Sequence, residues 1–209
     1  MRNDPYADAP RLPLEGDLDP RQVVQAGHDP VELEIGPGRG GFLVERLLGD
    51  DQVRIVGLEI RRKWATKVDR RLSALGLAGR GRVFAEDARV VIPRMVDDCL
   101  SVVYVNFPDP WWKKRHQKRL VVSGPMLDQL ARLLTTGGEL FLQTDVAERA
   151  DAYERLLGVH PAFESWGDAP RVAENPRSAQ SPRERRAMAD GLPIFRMRWR
   201  RVAFARNSL

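Results

Sequence analysis

Asp109 stands between Pro108 and Pro110 and is followed by Trp111 and Trp112, so a carboxylate and two indoles share one short stretch. Each proline fixes its own φ and pushes the residue before it towards extended geometry, which makes that stretch stiff. Five cations come next: Lys113, Lys114, Arg115, Lys118 and Arg119. An acid and an aromatic on a rigid platform, beside a grip for a polyanion, point to chemistry on a nucleic-acid base. Asp109 is then the candidate catalytic group, and Lys113, Lys114 and Arg115 are candidate substrate contacts. Either half alone would be an ordinary turn or the solvated start of a helix. Their conjunction carries the reading.

A second constellation lies upstream. Gly36, Gly38 and Gly41 follow the apolar run 31–35 in the spacing G-x-G-x-x-G, a turn that lets a ligand approach the backbone. Glu59 closes the next apolar run, 54–59, about 20 residues on, where a carboxylate accepts ribose hydroxyls. Asp87 follows a third short run, 82–85, and is placed to accept from an adenine amino group, with Glu86 the alternative. Glycine turns of this kind serve both nicotinamide dinucleotides and S-adenosylmethionine. Glu34 tilts the choice, because a carboxylate two residues before Gly36 suits a cationic amino-acid end and repels a pyrophosphate. Asn106, at the end of the run that leads to Asp109, completes the candidate cofactor set. Asp145, after the run 139–143, is placed to accept from a base or bind ribose, or to cap the helix expected over 146–157.

These residues need a scaffold that brings strand ends together. Strands over 31–35, 54–59, 82–85, 100–105 and 139–143 alternate with helices over 42–48, 61–75, 126–134 and 146–157. That alternation predicts a Rossmann-like α/β fold, with a mostly parallel central sheet flanked by helices and ligands at the carboxyl ends of the strands. Residues 194–204 alternate apolar side chains with arginines, which predicts a last, half-buried strand with a basic outer face. Residues 1–29 are polar and punctuated by proline, an expected arm or flexible leader, and residues 30–209 form one expected domain.

The chain of 209 residues carries a net charge of +5. Beyond Ser181 there are eight arginines against Glu184 and Asp190, so two basic stretches sit on an otherwise acidic body, the expected footprint of an anionic partner. Cys99 is the only cysteine, which excludes an intrachain disulfide and a cysteine-rich metal site. No apolar run approaches membrane-spanning length and the first residues lack a signal-peptide core, so a cytoplasmic address is expected.

The quoted motifs together resemble the bacterial tRNA (guanine-N7-)-methyltransferases. Glu34 with the glycine turn, Glu59, Asp87, the stretch Asn106 to Trp111, the basic run, Thr144-Asp145 and the segment 191–196 all take part. The similarity spans roughly residues 31–201. It implies a class I methyltransferase fold, bound S-adenosyl-L-methionine, no metal, and a guanine in the tRNA variable loop as target. It further implies catalysis by Asp109 and substrate contacts by Lys113, Asp145 and the segment 181–184, including Ser181 and Glu184. Two positions depart from the family pattern: Arg183 stands where an aromatic is usual, and Trp112 where proline or histidine is. Rival readings are a methyltransferase acting on another RNA or a small molecule, and a non-catalytic RNA-binding protein on the same fold. A monomer and a homodimer are equally open.

Overall fold

The computed structural model describes residues 5–108 and 121–204. β1 (Val31–Ile35) is buried along its whole length, including the acids Glu32 and Glu34. Continuous burial is the mark of an inner strand of a parallel sheet, covered on both faces. Its neighbours are β2 (Ile55–Leu58) on one side and β4 (Leu100–Asn106) on the other, both parallel to it. Among the described residues the sheet has eight strands, seven of them in the order β3-β2-β1-β4-β5-β8-β6 and one more pairing with β8 off this path, where β3 is Gly81–Phe84 and β5 is Leu134–Thr144. β8 (Phe195–Arg201) runs antiparallel to β5 and to the short β6 (Phe163–Ser165) and β7 (Arg171–Val172). The expected architecture is therefore present, with its antiparallel C-terminal strand. The strand order reverses between β1 and β4, the switch point at which such sheets bind ligands.

Helices cover both faces. On one side α1 (Gly41–Gly49) and α2 (Arg62–Ala74) bury Phe42, Leu43, Leu47, Val68 and Leu72 against Tyr104 and Phe141. On the other, α3 (Ala88–Val91), α4 (Gly124–Leu133) and α5 (Ala147–Gly158) close a larger core that includes Leu33, Val103, Leu127, Leu142, Tyr153 and Trp199. Cys99 is fully buried there, and burial pushes its thiol up to about 12, which makes it an inert core residue.

Residues 5–29 lie against this body. Leu12, Leu18 and Val24 enter the larger core, Leu18 bridges Met95, and the Ala85 N–H donates to Pro10 O at 2.7 Å. A 3-10 turn (Pro20–Val23), capped by Asp19, ends this segment.

Three details differ from the expectations. β5 begins at Leu134 rather than 139, because Leu134 already pairs with Leu100 ahead of a register irregularity. The segment from Ser181, for which no helix was expected, opens α6 (Pro182–Ala189), with Ser181 Oγ accepting from Glu184 N at 3.0 Å and proline in the first turn. The basic outer face of β8 is also not free. Arg196 pairs with Glu184, Arg198 with Glu139, Arg200 with Glu164 and Arg201 with Asp98. Arg183, Arg185 and Arg186 likewise meet Asp145, Glu45 and Asp190. Seven of the eight arginines beyond Ser181 thus pair with the protein's own acids, and Arg206 lies outside the described residues.

Candidate active site

The glycine turn is built by close approach. Gly36, Gly38 and Gly40 have φ of +74°, +55° and +70°, conformations that a side chain disfavours. Beneath the turn, a Cβ on Gly57 would lie 3.0 Å from both Pro37 and Leu43, so β2 must be bare there for the turn to seat. Glu59 then locks the turn. Its Oε2 accepts from Gly38 N and its Oε1 from Arg61 N, each at 2.9 Å. A carboxylate has about four acceptor positions, so this clamp leaves capacity for further donors such as ribose hydroxyls.

Glu34 sits at the switch point. It is 2% exposed, and its Oε1 accepts from Asn106 Nδ2 at 3.0 Å across the β1–β4 boundary. Its second oxygen, Oε2, has no partner among the described residues, and neither does Asn106 Oδ1. Burial, reinforced by the nearby Glu59 charge and opposed by the Asn106 hydrogen bond, raises the Glu34 carboxyl to about 7. Gln143, paired in register with Asn106 on β5, is fully buried, and neither of its amide atoms has a partner among the described residues. Buried polar groups are nearly always satisfied, so three such side chains on adjacent strand ends mark a place prepared for a polar ligand. The donors and acceptors left over fit the ammonium and carboxylate of an amino acid.

Beside this row lies a cavity of about 300 Å³ lined by Leu14, Ile60, Ala85, Glu86, Asp87 and Val90 among others. Leu14, Ile60 and Val90 are 84, 63 and 61% exposed, an apolar wall of a kind that holds a planar ring. Glu86 accepts from Leu12 N and pairs with Arg11, with its side chain 11% exposed. Asp87 caps α3, pairs with Arg89, and keeps 25% of its side chain exposed. The Arg89 guanidinium holds the Asp87 carboxyl below the usual carboxylate range. Of the two acids, Asp87 is the more accessible to a ligand. A larger cavity of about 690 Å³, lined by Arg46, Asp50 and Arg177, lies where α1 ends, at the amino ends of the strands and away from this row.

Asp145 does not cap α5, whose N-cap is Val146 with no side-chain bond. Thr144 Oγ1 accepts the Val146 N–H instead, and Asp145 pairs with Arg183. Ser181 is spent on capping α6, and Glu184 is fully buried against Arg196 and Asn175. Asp109, Lys113, Lys114 and Arg115 lie outside the described residues. The described residues hold no cluster of His, Cys, Asp and Glu suited to a metal, and no helix long and apolar enough to cross a membrane.

Ile60, Gln143 and the Leu12–Leu14 wall were not anticipated. Ile60 directly follows the Glu59 acid and was visible as an apolar residue at a strand end. Gln143 and the arm carried no local signal, since their roles come from neighbours distant in sequence.

Solved structures share this architecture. An antibiotic-related methyltransferase superposes with a TM-score of 0.61 at 15% identity, over 88% of this chain and 95% of its own. An rRNA methylase from Streptococcus thermophilus gives 0.54 at 13%, over 88% and 92%. The fold is therefore the one that these methyltransferases share. A family model described as "Putative methyltransferase" matches residues 28–197. A tRNA (guanine-N(7)-)-methyltransferase of Myxococcus xanthus is 36% identical over 81% of this chain and 82% of its own length. One from Anaeromyxobacter dehalogenans is 39% identical over 80% and 84%, and one from Microcystis aeruginosa 31% over 86% of each. This chain belongs to the tRNA (guanine-N7-)-methyltransferase family.

Proposed function

We propose that this protein transfers the methyl group of S-adenosylmethionine to N7 of a guanine in the tRNA variable loop. One observation carries the cofactor half of the reading: Glu34 is a buried acid with an unpaired oxygen at the switch point, where an ammonium would complete it. The substrate half is supported by the named relatives, each a tRNA (guanine-N(7)-)-methyltransferase at 31–39% identity.

Bound S-adenosylmethionine supplies an electrophilic methyl group. The chain's own residues hold and orient. Glu34 and Asn106 receive the amino-acid end, and Glu59, already anchored on the turn, takes the ribose hydroxyls. Asp87 accepts from the adenine amino group, while Ile60, Leu14 and Val90 cover the ring.

Guanine N7 carries a lone pair and no proton, so no general base is required to expose it. Alignment is then the main task, and good alignment can contribute about 7–11 kcal/mol to a rate enhancement. Asp109 is assigned to accept from the guanine N1–H and amino group, favouring the positive charge that develops on the purine. Trp111 is assigned to stack on the base or to pack beneath the platform. Lys113, Lys114 and Arg115 are assigned to phosphates. Asp145 reaches the substrate only by exchanging Arg183 for it. Ser181 and Glu184 hold α6, which carries Arg183 to Asp145.

The test is to incubate the protein with unmodified tRNA and labelled cofactor, then map the modified nucleotide. N7-methylguanosine in the variable loop, abolished by Asp109→Ala while cofactor still binds, is the expected result. Methylation elsewhere, or near-normal turnover by Asp109→Ala, would overturn the assignment.

A further inference from the structure

α2 presents Lys63, Lys67, Arg70 and Arg71 along one outward stripe, at the i, i+4, i+7 and i+8 spacing of a single helix face. At its first turn, three cations gather on one indole. Arg39 Cζ lies 5.0 Å, Lys63 Nζ 5.4 Å and Lys67 Nζ 5.9 Å from the centre of the Trp64 ring. All three cations are exposed, and Trp64 is half-buried.

Like charges do not collect without a reason, and no local acid offsets them. Asp69, the one acid of α2, is taken by Arg82 and the Val83 N–H. Glu59 faces the turn, accepting from the Gly38 and Arg61 N–H groups, and pairs with none of the three cations; Asp8 pairs with Arg70. Among the described residues no carboxylate pairs with Arg39, Lys63 or Lys67. By contrast, the seven described arginines beyond Ser181 each meet an acid of the protein. The ring faces draw the three cations together by cation–π attraction and so pre-assemble a positive patch. Arg39 belongs to the glycine turn itself, which puts this patch on the rim of the cofactor crevice.

We propose that Arg39, Trp64, Lys63 and Lys67 form a second RNA-binding surface, which seats backbone phosphates of the tRNA away from the methylated guanine. Its ligand class rests on the tRNA reading above. Charge complementarity commits it to a polyanion, and its continuity with the crevice rim makes the substrate strand the occupant. Phosphates enter between the cations, and Trp64 keeps the cations in place.

The experiment measures equilibrium binding of unmodified tRNA across a salt series, using the full chain and the double variant Lys63→Gln/Lys67→Gln. Loss of two phosphate contacts should make the slope of log affinity against log salt shallower by about 1.4–1.8 and weaken binding roughly tenfold at low salt. Trp64→Leu should give a smaller change in the same direction, and Arg186→Gln, which removes a cation already paired with Asp190, should give none. Cofactor affinity by calorimetry should match wild type in every variant, which also reports folding. An unchanged slope in the double variant, or the same change from Arg186→Gln, would overturn the surface. Should wild-type protein bind tRNA with the expected slopes yet form no N7-methylguanosine, the activity reading fails and the surface stands.

Discussion

Glu34 and Glu184 are both buried acids packed on the same side of the sheet, yet they differ in how fully they are satisfied. Glu184 is fully enclosed, with Arg196 Nε and Nη2 donating to its Oε1 at 3.1 and 2.9 Å and Asn175 Nδ2 donating to both oxygens. Among the described residues Glu34 receives only Asn106 Nδ2 and keeps one oxygen without a partner. A saturated acid holds its own fold together. An unsaturated one at a strand end is held ready for something from outside. Burial alone does not separate structural from functional carboxylates; the number of partners does.

The largest effect should come from Glu184→Ala. It strands the Arg196 guanidinium in the interior, and an uncompensated buried charge costs about 3–5 kcal/mol. Urea unfolding measures this directly, and an unmoved midpoint would erase the contrast. Glu34→Gln should do the reverse. It removes a charge-assisted hydrogen bond to the cofactor ammonium, weakening affinity about 10- to 100-fold by calorimetry.

Its stability should not fall. The Glu34 carboxyl is raised from 4.5 to about 7 in the folded protein, so the native state holds more protons than the unfolded one between those values. Wild-type stability therefore declines as pH rises through that window, and the glutamine variant should melt higher than wild type above pH 7. Wild-type cofactor affinity should rise from pH 6 to pH 8 as the carboxylate forms, while the variant stays flat. A parallel pH profile in both would assign the titration to another group. The smallest effect belongs to Arg200→Ala, whose pair with Glu164 is about half exposed on both sides; a change within about 1 kcal/mol is expected by thermal melting.

Local pattern carried much of this architecture. The five parallel strands, four of the helices and the glycine turn follow from runs of apolar residues and from punctuation by Gly and Pro, signals that neighbouring residues share. The acids at strand ends could be found for the same reason. α6 was equally available, because Ser181 followed three residues later by Glu184 is a capping-box spacing with proline at the first helical position. Its density of arginine suggested a polyanion instead. What could not be read was partnership. Whether Arg198 faces RNA or Glu139 depends on strands 59 residues apart meeting in one register. Gln143 likewise reads as one more strand residue until β4 puts Asn106 beside it.

The segment 10–18, whose residues 11–14 line the cavity beside Asp87, has a consequence for biosynthesis. Their partners come much later in the chain: Leu18 N–H donates to Arg94 O, and Arg94 donates back to Gly16 O from 78 positions away. During translation this segment emerges before β1 but has nowhere to settle until the ribosome has delivered β3 and the turn beyond it. The cavity beside Asp87 is thus completed late, by a segment made early.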